Sequence, residues 1–318
     1  MPDLLTALLG AAIIALASYL FARWLGRVRV ERIRNSNTTD FDVFHHLCTL
    51  NIPADELEPK GEMARYLDEG EEDRRNRKAS EVVFEDYFAL AKVRDTGVGI
   101  INSTIYPQKQ LCFINYLGTV TGLPSGPRTD AKPLLRALRK YLRRVRCAGV
   151  VYEIDCPGPH LSRDQNSDRH AKARRFIQAA EEIGCLTFEL PVPYVQPELS
   201  LLEGQVYEEV PMSLMYVSLD GDARTALTRE DVVEIVNVTL LDWYLDIYDR
   251  EGELRERYRK RLTEVRDKLL ATVPAQLAVQ PVTRNWRPPM RDGASSPDLP
   301  VGLSEPRKRK WRRRSAAL

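Results

Sequence analysis

The sequence predicts an α/β fold in which helices flank a mixed sheet of about six or seven strands, preceded by an N-terminal transmembrane helix. The first observation is the stretch Val98–Asp155, which reads strand, turn, strand, loop, helix, strand. A helix between two strands implies a crossover, so at least one strand pair should be parallel or nearly so. The second is a hydrophobic content of 43% over 318 residues, which supports a buried core. The third is a continuous apolar run near the N-terminus.

The elements of the N-terminal half follow from apolar spacing and turn residues. Residues 35–40 read as a polar linker, and a helix is expected at Ile52–Gly70, followed by a charged loop over 71–78. Strands are expected where β-branched and aromatic residues concentrate, and a second helix where leucines recur at helical spacing. These elements are the strands Val82–Val93, Ile100–Tyr106 and Leu111–Val120, the helix that carries Leu134, Leu135, Leu138 and Leu142, and the strand Gly149–Asp155.

The C-terminal half continues this alternation. The expected elements are a helix at Ala171–Ile183, a short strand at Leu186–Leu190, an extended segment at Pro191–Pro197, a strand within Val210–Leu219 and a helix from Thr228 to about Tyr248. Acidic residues just after Thr228 are typical of a helix N-terminus. Glu251–Leu270 is dense in charge and carries acidic–basic pairs four residues apart, which indicates an exposed helix. Proline, glycine and serine predict disorder over Val273–Pro306.

The apolar run Leu4–Leu25 predicts a membrane-spanning helix, because at ~1.5 Å per residue it crosses a hydrocarbon core of ~30 Å. One alternative is a cleaved secretory signal, for which Ala15-Leu16-Ala17 resembles a cleavage site, and another is a buried core helix. The run continues past the cleavage-like motif and is more continuously apolar than a core helix, which favours an uncleaved anchor. Five arginines lie at the end of the run and just after it, between positions 23 and 34, so the positive-inside rule places the rest of the chain in the cytoplasm.

The cysteines agree with that location. All five lack paired spacing, and an odd number of thiols indicates a reducing compartment. His45-His46-x-Cys48 contains metal-ligating residue types, but no second ligand pair accompanies them, so no metal is expected.

These patterns divide the chain into four parts: an anchor with a basic flank over 1–34, an α/β domain over 35–248, a charged helix over 249–272 and a disordered tail over 273–318. The tail contains Arg307–Arg314, in which seven of eight residues are basic and the eighth is Trp311. Such a run binds anionic lipid or nucleic acid, or is inert. An anionic membrane leaflet is the favoured partner. Nucleic acid is less favoured, because the domain shows no basic stripe with interleaved aromatic residues.

The loop Thr121–Thr129 contains the two glycines and the two prolines that separate a predicted strand from a predicted helix. A helix N-terminus presents unpaired N–H groups and the positive end of the helix dipole, and both favour an anion such as phosphate. Most such units bind nothing, so a purely structural connection remains open.

Three short segments, in this order and spacing, resemble the GNAT N-acetyltransferase superfamily, and within it a bacterial branch. They are Phe113-Ile114-Asn115-Tyr116-Leu117, Val151-Tyr152-Glu153-Ile154-Asp155, and Tyr194–Leu199 followed by Pro211–Met215. The resemblance covers about residues 38–248, or two thirds of the chain. It implies a sheet in which two strands splay apart around acyl-CoA, and transfer of an acetyl group from acetyl-CoA to an amine, here unidentified.

The resemblance also implies two groups of cofactor-binding residues. The pantetheine arm pairs with the backbone of the first splayed strand, and the pyrophosphate lies on amides of the following loop. In this sequence the two groups are Ile114, Asn115, Tyr116 and Leu117, and then Gly122, Gly126 and Arg128. The loop departs from the superfamily pattern Arg/Gln-x-x-Gly-x-Gly/Ala in its glycine spacing, and its prolines lack N–H donors.

Acyl transfer needs a base for the amine and an acid for the released thiolate. Glu153 and Asp155 lie two residues apart in a strand and so share one face. Either residue can act as the base if that face meets the cleft; the alternative is a charged outer face. Superfamily members often carry a tyrosine acid in the following helix, where this sequence has Phe176 and Ile177, so Tyr194 is the candidate substitute. A non-catalytic module that binds acyl-CoA or a protein partner remains the alternative.

Overall fold

A computed structural model of the protein describes residues 28–52, 57–76, 84–120, 131–155, 163–197, 210–220, 225–247, 252–283 and 285–286. The expected anchor Leu4–Leu25, the whole predicted phosphate loop Thr121–Thr129 and the basic run Arg307–Arg314 lie outside the described residues. Among the helices that the structure does describe, none combines the length and the apolar character needed to cross a membrane.

One mixed sheet organises the described residues. Its path runs β1-β2-β3-β4-β5-β8-β6, and the two-residue strand β7 pairs with β8 beside this path. Neighbouring strands are antiparallel except for β4 and β5, which run parallel. The strands are β1 Val28–Ile33, β2 Glu85–Val93, β3 Thr96–Tyr106, β4 Leu111–Thr119, β5 Gly149–Asp155, β6 Leu186–Glu189, β7 Val195–Gln196 and β8 Val210–Ser218, while β9 Leu227–Thr228 and β10 Ala278–Val279 form a separate pair.

Seven helices surround the sheet in the described ranges. They are α1 Thr39–Asn51, α2 Lys60–Asn76, α3 Lys132–Arg144, α4 Arg163–Glu182, α5 Arg229–Asn237, α6 Tyr244–Ile247 and α7 Glu253–Ala271. A π-helical turn, Val238–Trp243, joins α5 to α6. Thr228 caps α5 through a reciprocal capping box with Asp231, which satisfies N–H groups that a helix leaves unpaired at its start.

The sheet buries apolar side chains on both faces. On the first face, α3 and α4 cover a core that includes Leu138, Ile177 and Tyr152. The second face is covered in two places. Near β1 and β2, helices α1 and α2 bury a cluster around Phe44 and Phe88. Near β5 and β8, the segment from α5 to α7 buries a larger cluster. That larger cluster includes Phe113, Val151, Tyr216, Trp243, Tyr244 and Leu262. The middle of the second face lies between these two clusters.

The predicted mixed sheet flanked by helices is confirmed, and every strand predicted between Val82 and Leu219 is present. The strand Gly149–Asp155 was predicted with its observed bounds, and the expected long helix after Thr228 contains α5, the π-helical turn and α6. The charged helix is also present as α7, although it is not merely an exposed helix: Tyr258 and Leu262 are buried in the second-face core.

Three expectations about boundaries differ from the structure. The predicted polar linker ends in α1, a helix that the sequence patterns missed and that Thr38 caps. The predicted charged loop over 71–78 is helical to Asn76. Part of the segment expected to be disordered is ordered: Val273 is buried, β10 pairs with β9, and the Trp286 indole donates a hydrogen bond to Glu189 at 2.8 Å.

The sheet also reaches into the predicted basic flank, because β1 begins at Val28 and pairs with β2 along its whole length. Arg32 is almost completely buried there and forms salt bridges with Glu71 at 2.8 Å and Glu85 at 2.7 Å. Its guanidinium also lies over the ring of Tyr141, 4.7 Å from the centroid, in a cation–π contact. Arg32 therefore holds β1, α2 and α3 together and is not available to contact a membrane surface.

Candidate functional site

The candidate site lies where β4 and β5 part. The two strands pair only between Leu111–Phe113 and Gly149–Val151. β4 then continues to Thr119 and β5 to Asp155, and within these described strands no further pair joins them. Each arm is instead held from its outer side, β4 by β3 and β5 by β8. We call this opening the fork.

The β4 arm of the fork carries a bulge just past the last residue that pairs with β5. Asn102 lies opposite Tyr116, while the next residue of β3, Ser103, lies opposite Ile114, so Asn115 is the extra residue. A bulge bends its strand and re-aims side chains. Here it places two consecutive side chains on the second face: Asn115 reaches towards the π-helical turn, and Tyr116 packs against the cluster under α1 and α2.

The side chain of Asn115 is held by three described partners. Its Nδ2 donates to Asn102 Oδ1 at 2.6 Å and to Thr104 Oγ1 at 2.9 Å, and its Oδ1 accepts from Trp243 Nε1 at 3.1 Å. The indole of Trp243 stacks on Phe113 with ring centroids 5.0 Å apart and planes 12° apart. Because an indole nitrogen can only donate, the amide orientation of Asn115 is fixed. The π-helical turn thus clamps the bulge of the β4 arm.

A second cluster lies on the β5 arm around Glu153. One carboxylate oxygen accepts hydrogen bonds from the hydroxyl of Tyr194 and, at 2.7 Å, from the hydroxyl of Tyr244. The other oxygen lies 3.5 Å from Gln196 Nε2. Both tyrosines are buried, and burial together with the charge of Glu153 raises each phenol pKa well above its usual value. The two phenols therefore remain protonated at neutral pH and donate their hydrogen bonds to Glu153.

The two arms are connected through adjacent residues. Trp243 ends the π-helical turn and bonds to the β4 arm, while Tyr244 begins α6 and bonds to the β5 arm. Their rings lie 4.8 Å apart and meet edge to face at 64°. π-Helical turns are rare and are frequently found at functional sites. In this protein the turn allows both side chains to face the sheet, so one short segment spans the mouth of the fork.

A polar row crosses the second face beside the bulge. Asn102 and Thr104 are 4% and 5% exposed, and the hydroxyl of Thr104 donates to Asp86 Oδ1 at 3.0 Å. Burial raises the pKa of Asp86 to about 7, and the nearby charges of Glu85 and Asp246 act in the same direction. Asp86 was not among the residues predicted from the sequence. The one sequence feature that distinguishes Asp86 is its position, because it lies on the apolar face of β2, two residues before buried Phe88.

The structure brings together some of the sequence-predicted residues and leaves others undescribed. Glu153 and Tyr194 are in direct contact through a hydrogen bond from the tyrosine hydroxyl to the carboxylate. Asn115 and Tyr116 lie on the open side of β4, whereas Ile114 and Leu117 point into the first-face core and present only their backbone to the fork.

Four predicted site residues are not placed by these contacts. Asp155 pairs with Met212 through its strand, but the position of its side chain is not described. Gly122, Gly126 and Arg128 lie outside the described residues.

Phe176 lies on the first face of the sheet, opposite to Glu153, and its ring centroid is 3.9 Å from that of Tyr152.

The four described cysteines are buried, and none of them forms a disulfide. In the described ranges no group of three or more histidine, cysteine, aspartate or glutamate side chains is arranged to hold a metal ion.

Comparisons with known proteins returned structural neighbours only. No protein-family model matches the chain, and no curated sequence is significantly similar. One similar structure is described as an acetyltransferase of the GNAT family from Bacteroides thetaiotaomicron. It is 17% identical, with a TM-score of 0.42 over 70% of this chain and 99% of its own.

Two further neighbours have named substrates. An acetyltransferase from Salmonella typhimurium modifies the N-terminal serine of ribosomal protein L7/L12. It is 12% identical, with a TM-score of 0.37 over 60% of this chain and 93% of its own. An aminoglycoside 6'-acetyltransferase type Ii is 14% identical, with a TM-score of 0.35 over 60% of this chain and 97% of its own. TM-scores below 0.5 do not carry a functional assignment, so the function proposed below depends on the fork itself.

Proposed function

We propose that this protein is an acyltransferase that moves an acetyl group from acetyl-CoA to an amine. The observation that carries this proposal is the fork between β4 and β5. Past Phe113, no strand of the described sheet pairs with the edge of β4 that faces β5. The pantetheine arm of CoA carries amide groups on a thin chain, so it can pair with this edge as an added strand does. Ile114, Asn115, Tyr116 and Leu117 are the proposed pairing residues.

The start of α3 is the proposed position of the pyrophosphate. This 13-residue helix begins at Lys132, directly after the loop that contains Gly122, Gly126 and Arg128. Its first N–H groups and its dipole favour an anion. Lys132 forms a salt bridge with Glu182, which occupies its ammonium group. Arg128 is therefore the preferred cation for the phosphates.

In the proposed reaction the amine nitrogen bonds to the thioester carbonyl carbon, the carbon–sulfur bond breaks, and one proton passes from nitrogen to a base. The released thiolate then takes a proton from an acid or from water. Glu153 or Asp155 was expected to be the base and Tyr194 the acid. The contacts of Glu153 support a different emphasis: one of its carboxylate oxygens already accepts two phenolic hydrogen bonds within the protein. We assign Glu153, with Tyr194 and Tyr244, to holding the β5 arm of the fork in place.

Hydrogen exchange tests where the cofactor binds. With the full chain in detergent, acetyl-CoA should slow exchange of those amides of Ile114–Thr119 that face β5. The amides of Leu111–Phe113, which already face β5, serve as an internal control and should change little. Calorimetric titration with acetyl-CoA measures the affinity in the same sample. Protection elsewhere on the protein, or no heat and no protection at millimolar acetyl-CoA, would refute the assignment.

Turnover is tested by release of free thiol from acetyl-CoA over a panel of primary amines. Transfer predicts amine-dependent thiol release together with an acetylated product detected by mass spectrometry. The alternative, a non-catalytic acyl-CoA-binding or interaction module, is favoured by one specific observation: the position expected for the superfamily's tyrosine acid holds Phe176, which is packed in the first-face core. Binding of acetyl-CoA without any amine-dependent release would select this alternative.

We also propose that the apolar run Leu4–Leu25 anchors the protein in the cell membrane with its bulk in the cytoplasm. The run ends three residues before β1, so the edge of the sheet would lie close to the bilayer. Arg32 is taken up by internal salt bridges, which leaves the other arginines of the flank to orient the anchor. Retention in the membrane pellet after a carbonate wash is the expected result. A mature protein that starts at Ser18 would contradict the anchor.

The basic run Arg307–Arg314 is the proposed second contact with the anionic leaflet, because each basic side chain near such a surface contributes about 1 kcal/mol. The test compares binding of the fragment that starts at Val28 to anionic and to neutral vesicles, with and without residues 307–318. Preference for anionic vesicles that disappears on deletion and at high salt supports lipid binding. Tight binding to nucleic acid instead would contradict it.

A further inference from the structure

The middle of the second face carries a carboxyl group that the proposed mechanism has not used. Asp86 is half-buried in β2, between the apolar cluster under α1 and α2 and the larger cluster under α5–α7. The side chain on the same face two residues further along the strand, Phe88, is 2% exposed. Burying a carboxylate in such surroundings costs free energy unless the group is hydrogen-bonded. A residue kept at such a position is therefore a candidate for a functional role.

The hydrogen bonds next to Asp86 have a fixed direction. The indole of Trp243 can only donate, so it fixes Asn115 Oδ1 as an acceptor and Asn115 Nδ2 as a donor. Asn115 Nδ2 donates to the hydroxyl of Thr104, whose own proton then points to Asp86 Oδ1. Hydrogen bonds in such a chain polarise one another. The row therefore runs from the fork to Asp86, and Asp86 is its final acceptor.

The row also fixes how near Asp86 is to the fork. The bonds from Asn115 Nδ2 to Thr104 Oγ1 and from Thr104 Oγ1 to Asp86 Oδ1 are 2.9 Å and 3.0 Å. One hydroxyl group thus separates the Asp86 carboxyl from the side chain at the bulge, within the segment that is proposed to pair with the pantetheine arm. In the described part of the chain Thr104 is the one hydrogen-bond donor to Asp86, whereas Glu153 accepts from two phenols and approaches an amide. Asp86 keeps lone pairs for a substrate.

The two charges that raise the pKa of Asp86 are both negative, and each is paired with an arginine, Glu85 with Arg32 at 2.7 Å. Glu85 lies next to Asp86 in β2 and Asp246 faces it from α6, and both raise its pKa in addition to burial; only the Thr104 hydroxyl acts against them. Tyr106 of β3 donates to Asp246 at 2.9 Å, and Arg255 of α7 pairs with Asp246 at 3.4 Å, so that cation is directed to another carboxylate. A pKa of about 7 is close to the working pH at which a general base is most effective.

We propose that Asp86 is the base that takes the proton from the acceptor amine, and that the acceptor is a primary amine entering between α1 and the π-helical turn. This inference deepens the acyl transfer proposed above and rests on it. As the nitrogen–carbon bond forms and the carbon–sulfur bond breaks, the amine proton passes to the carboxylate of Asp86. The protonated carboxyl then returns that proton to solvent or to the released thiolate. Glu153 is a positioning residue in this scheme.

The test uses the full chain in detergent as wild type, Asp86→Asn and Glu153→Gln, with Asp267→Asn on the exposed face of α7 as a control. Each protein is titrated with acetyl-CoA, and thiol release with a panel of primary amines is measured from about pH 5 to about pH 9. The wild type and the control should show kcat/KM rising through a limb near pH 7. Asp86→Asn should bind acetyl-CoA as tightly, lose roughly 10²–10⁴-fold in rate and lose the limb. Glu153→Gln should keep the limb.

Thr104→Val provides a second variant that does not depend on Asp86→Asn being folded. It removes the hydroxyl that lowers the pKa of Asp86 and keeps the side-chain shape, so the limb should move to higher pH. A limb that stays in place in Thr104→Val, survives in Asp86→Asn, or vanishes in Glu153→Gln overturns the role of Asp86 while leaving acyl transfer standing. Absence of acetyl-CoA binding or of amine-dependent release in the wild type refutes the proposed function, and this inference falls with it.

Discussion

Replacing Trp243 with phenylalanine tests whether the π-helical turn clamps the β4 arm. The change keeps an aromatic ring that can stack on Phe113 but removes the N–H that donates to Asn115 Oδ1 at 3.1 Å. An amide oxygen left without its partner costs roughly 1–3 kcal/mol. For a domain of this size each kcal/mol lowers the melting temperature by about 2–4 °C, so the expected loss is roughly 2–12 °C.

The chain offers a matched control in Trp286. Its indole also donates to a side-chain oxygen, Glu189 Oε2 at 2.8 Å, but it belongs to the first-face core. Trp286→Phe should therefore destabilise the protein by a similar or larger amount, since a bond to a charged acceptor is stronger. Only Trp243→Phe should also weaken acetyl-CoA binding and raise the exchange rate of amides at Ile114–Leu117.

The assay combines urea unfolding, calorimetric titration with acetyl-CoA and a double-mutant cycle between Trp243→Phe and Asn115→Leu. Residues in one hydrogen-bond network show coupling energies of about 0.5–3 kcal/mol, whereas independent residues add to within about 0.3–0.5 kcal/mol. Additive effects of the two substitutions would refute the clamp. Equal loss of acetyl-CoA affinity in Trp286→Phe would show that any destabilisation disturbs binding, and would refute its specificity.

Further predictions concern single positions. Gly149→Ala should destabilise the protein by about 1–3 kcal/mol in urea unfolding, because the new methyl group would lie 2.1 Å from the ring of Tyr216. Gly70→Ala in α2 should instead stabilise the protein by about 0.5–1 kcal/mol, because the new methyl group meets no atom within 4 Å. The raised pKa of Asp86 means that the folded state binds a proton more tightly than the unfolded chain, so wild-type stability should fall as pH rises from about 4 to about 7. Asp86→Asn should remove that slope, and an unchanged slope would contradict the raised pKa. Tyr194→Phe should lower the free energy of unfolding by roughly 1.5–3 kcal/mol, since it removes a hydrogen bond to a charged carboxylate.

The order of the elements could be predicted from the sequence because most of them follow local rules. Strands such as Gly149–Asp155 are bounded by turn residues, and helices such as α3 repeat leucine at helical spacing. α1 and β1 were missed for different reasons. α1 follows a segment rich in asparagine and serine that reads as a linker, and it is weakly amphipathic over its length. β1 carries arginines that are typical of a membrane flank, and only the folded chain shows Arg32 paired with two glutamates.

The candidate site was predictable only in part, because its geometry depends on pairings distant in the chain. Strand alternation indicates the face that Glu153 shares with Asp155, and the resemblance suggests Tyr194 as a substitute acid, but neither predicts the contact between Glu153 and Tyr194. Tyr244 could not, because it lies 91 residues beyond Glu153 and reaches it through a π-helical turn. The bulge at Asn115 has no local signal either, because the extra residue exists only relative to β3. Asp86 could not be distinguished in the sequence from the other charged residues of an imperfectly alternating strand.

The geometry of the fork follows from a competition between pairing and packing. Parallel strands would ordinarily gain hydrogen bonds by pairing along their full length, and β4 and β5 are long enough to do so past Phe113. Just past that point β4 carries a bulge against β3, and the side chain of the extra residue is fixed by Trp243. On the β5 arm, the carboxylate of Glu153 has its hydrogen bonds satisfied by two buried phenols. Since Trp243 and Tyr244 are consecutive, neither arm can move far without disturbing the other, and the opening is held at one width before any ligand enters. A site prepared in this way avoids the ordering cost that binding would otherwise carry, which suits the binding of a flexible pantetheine arm proposed above.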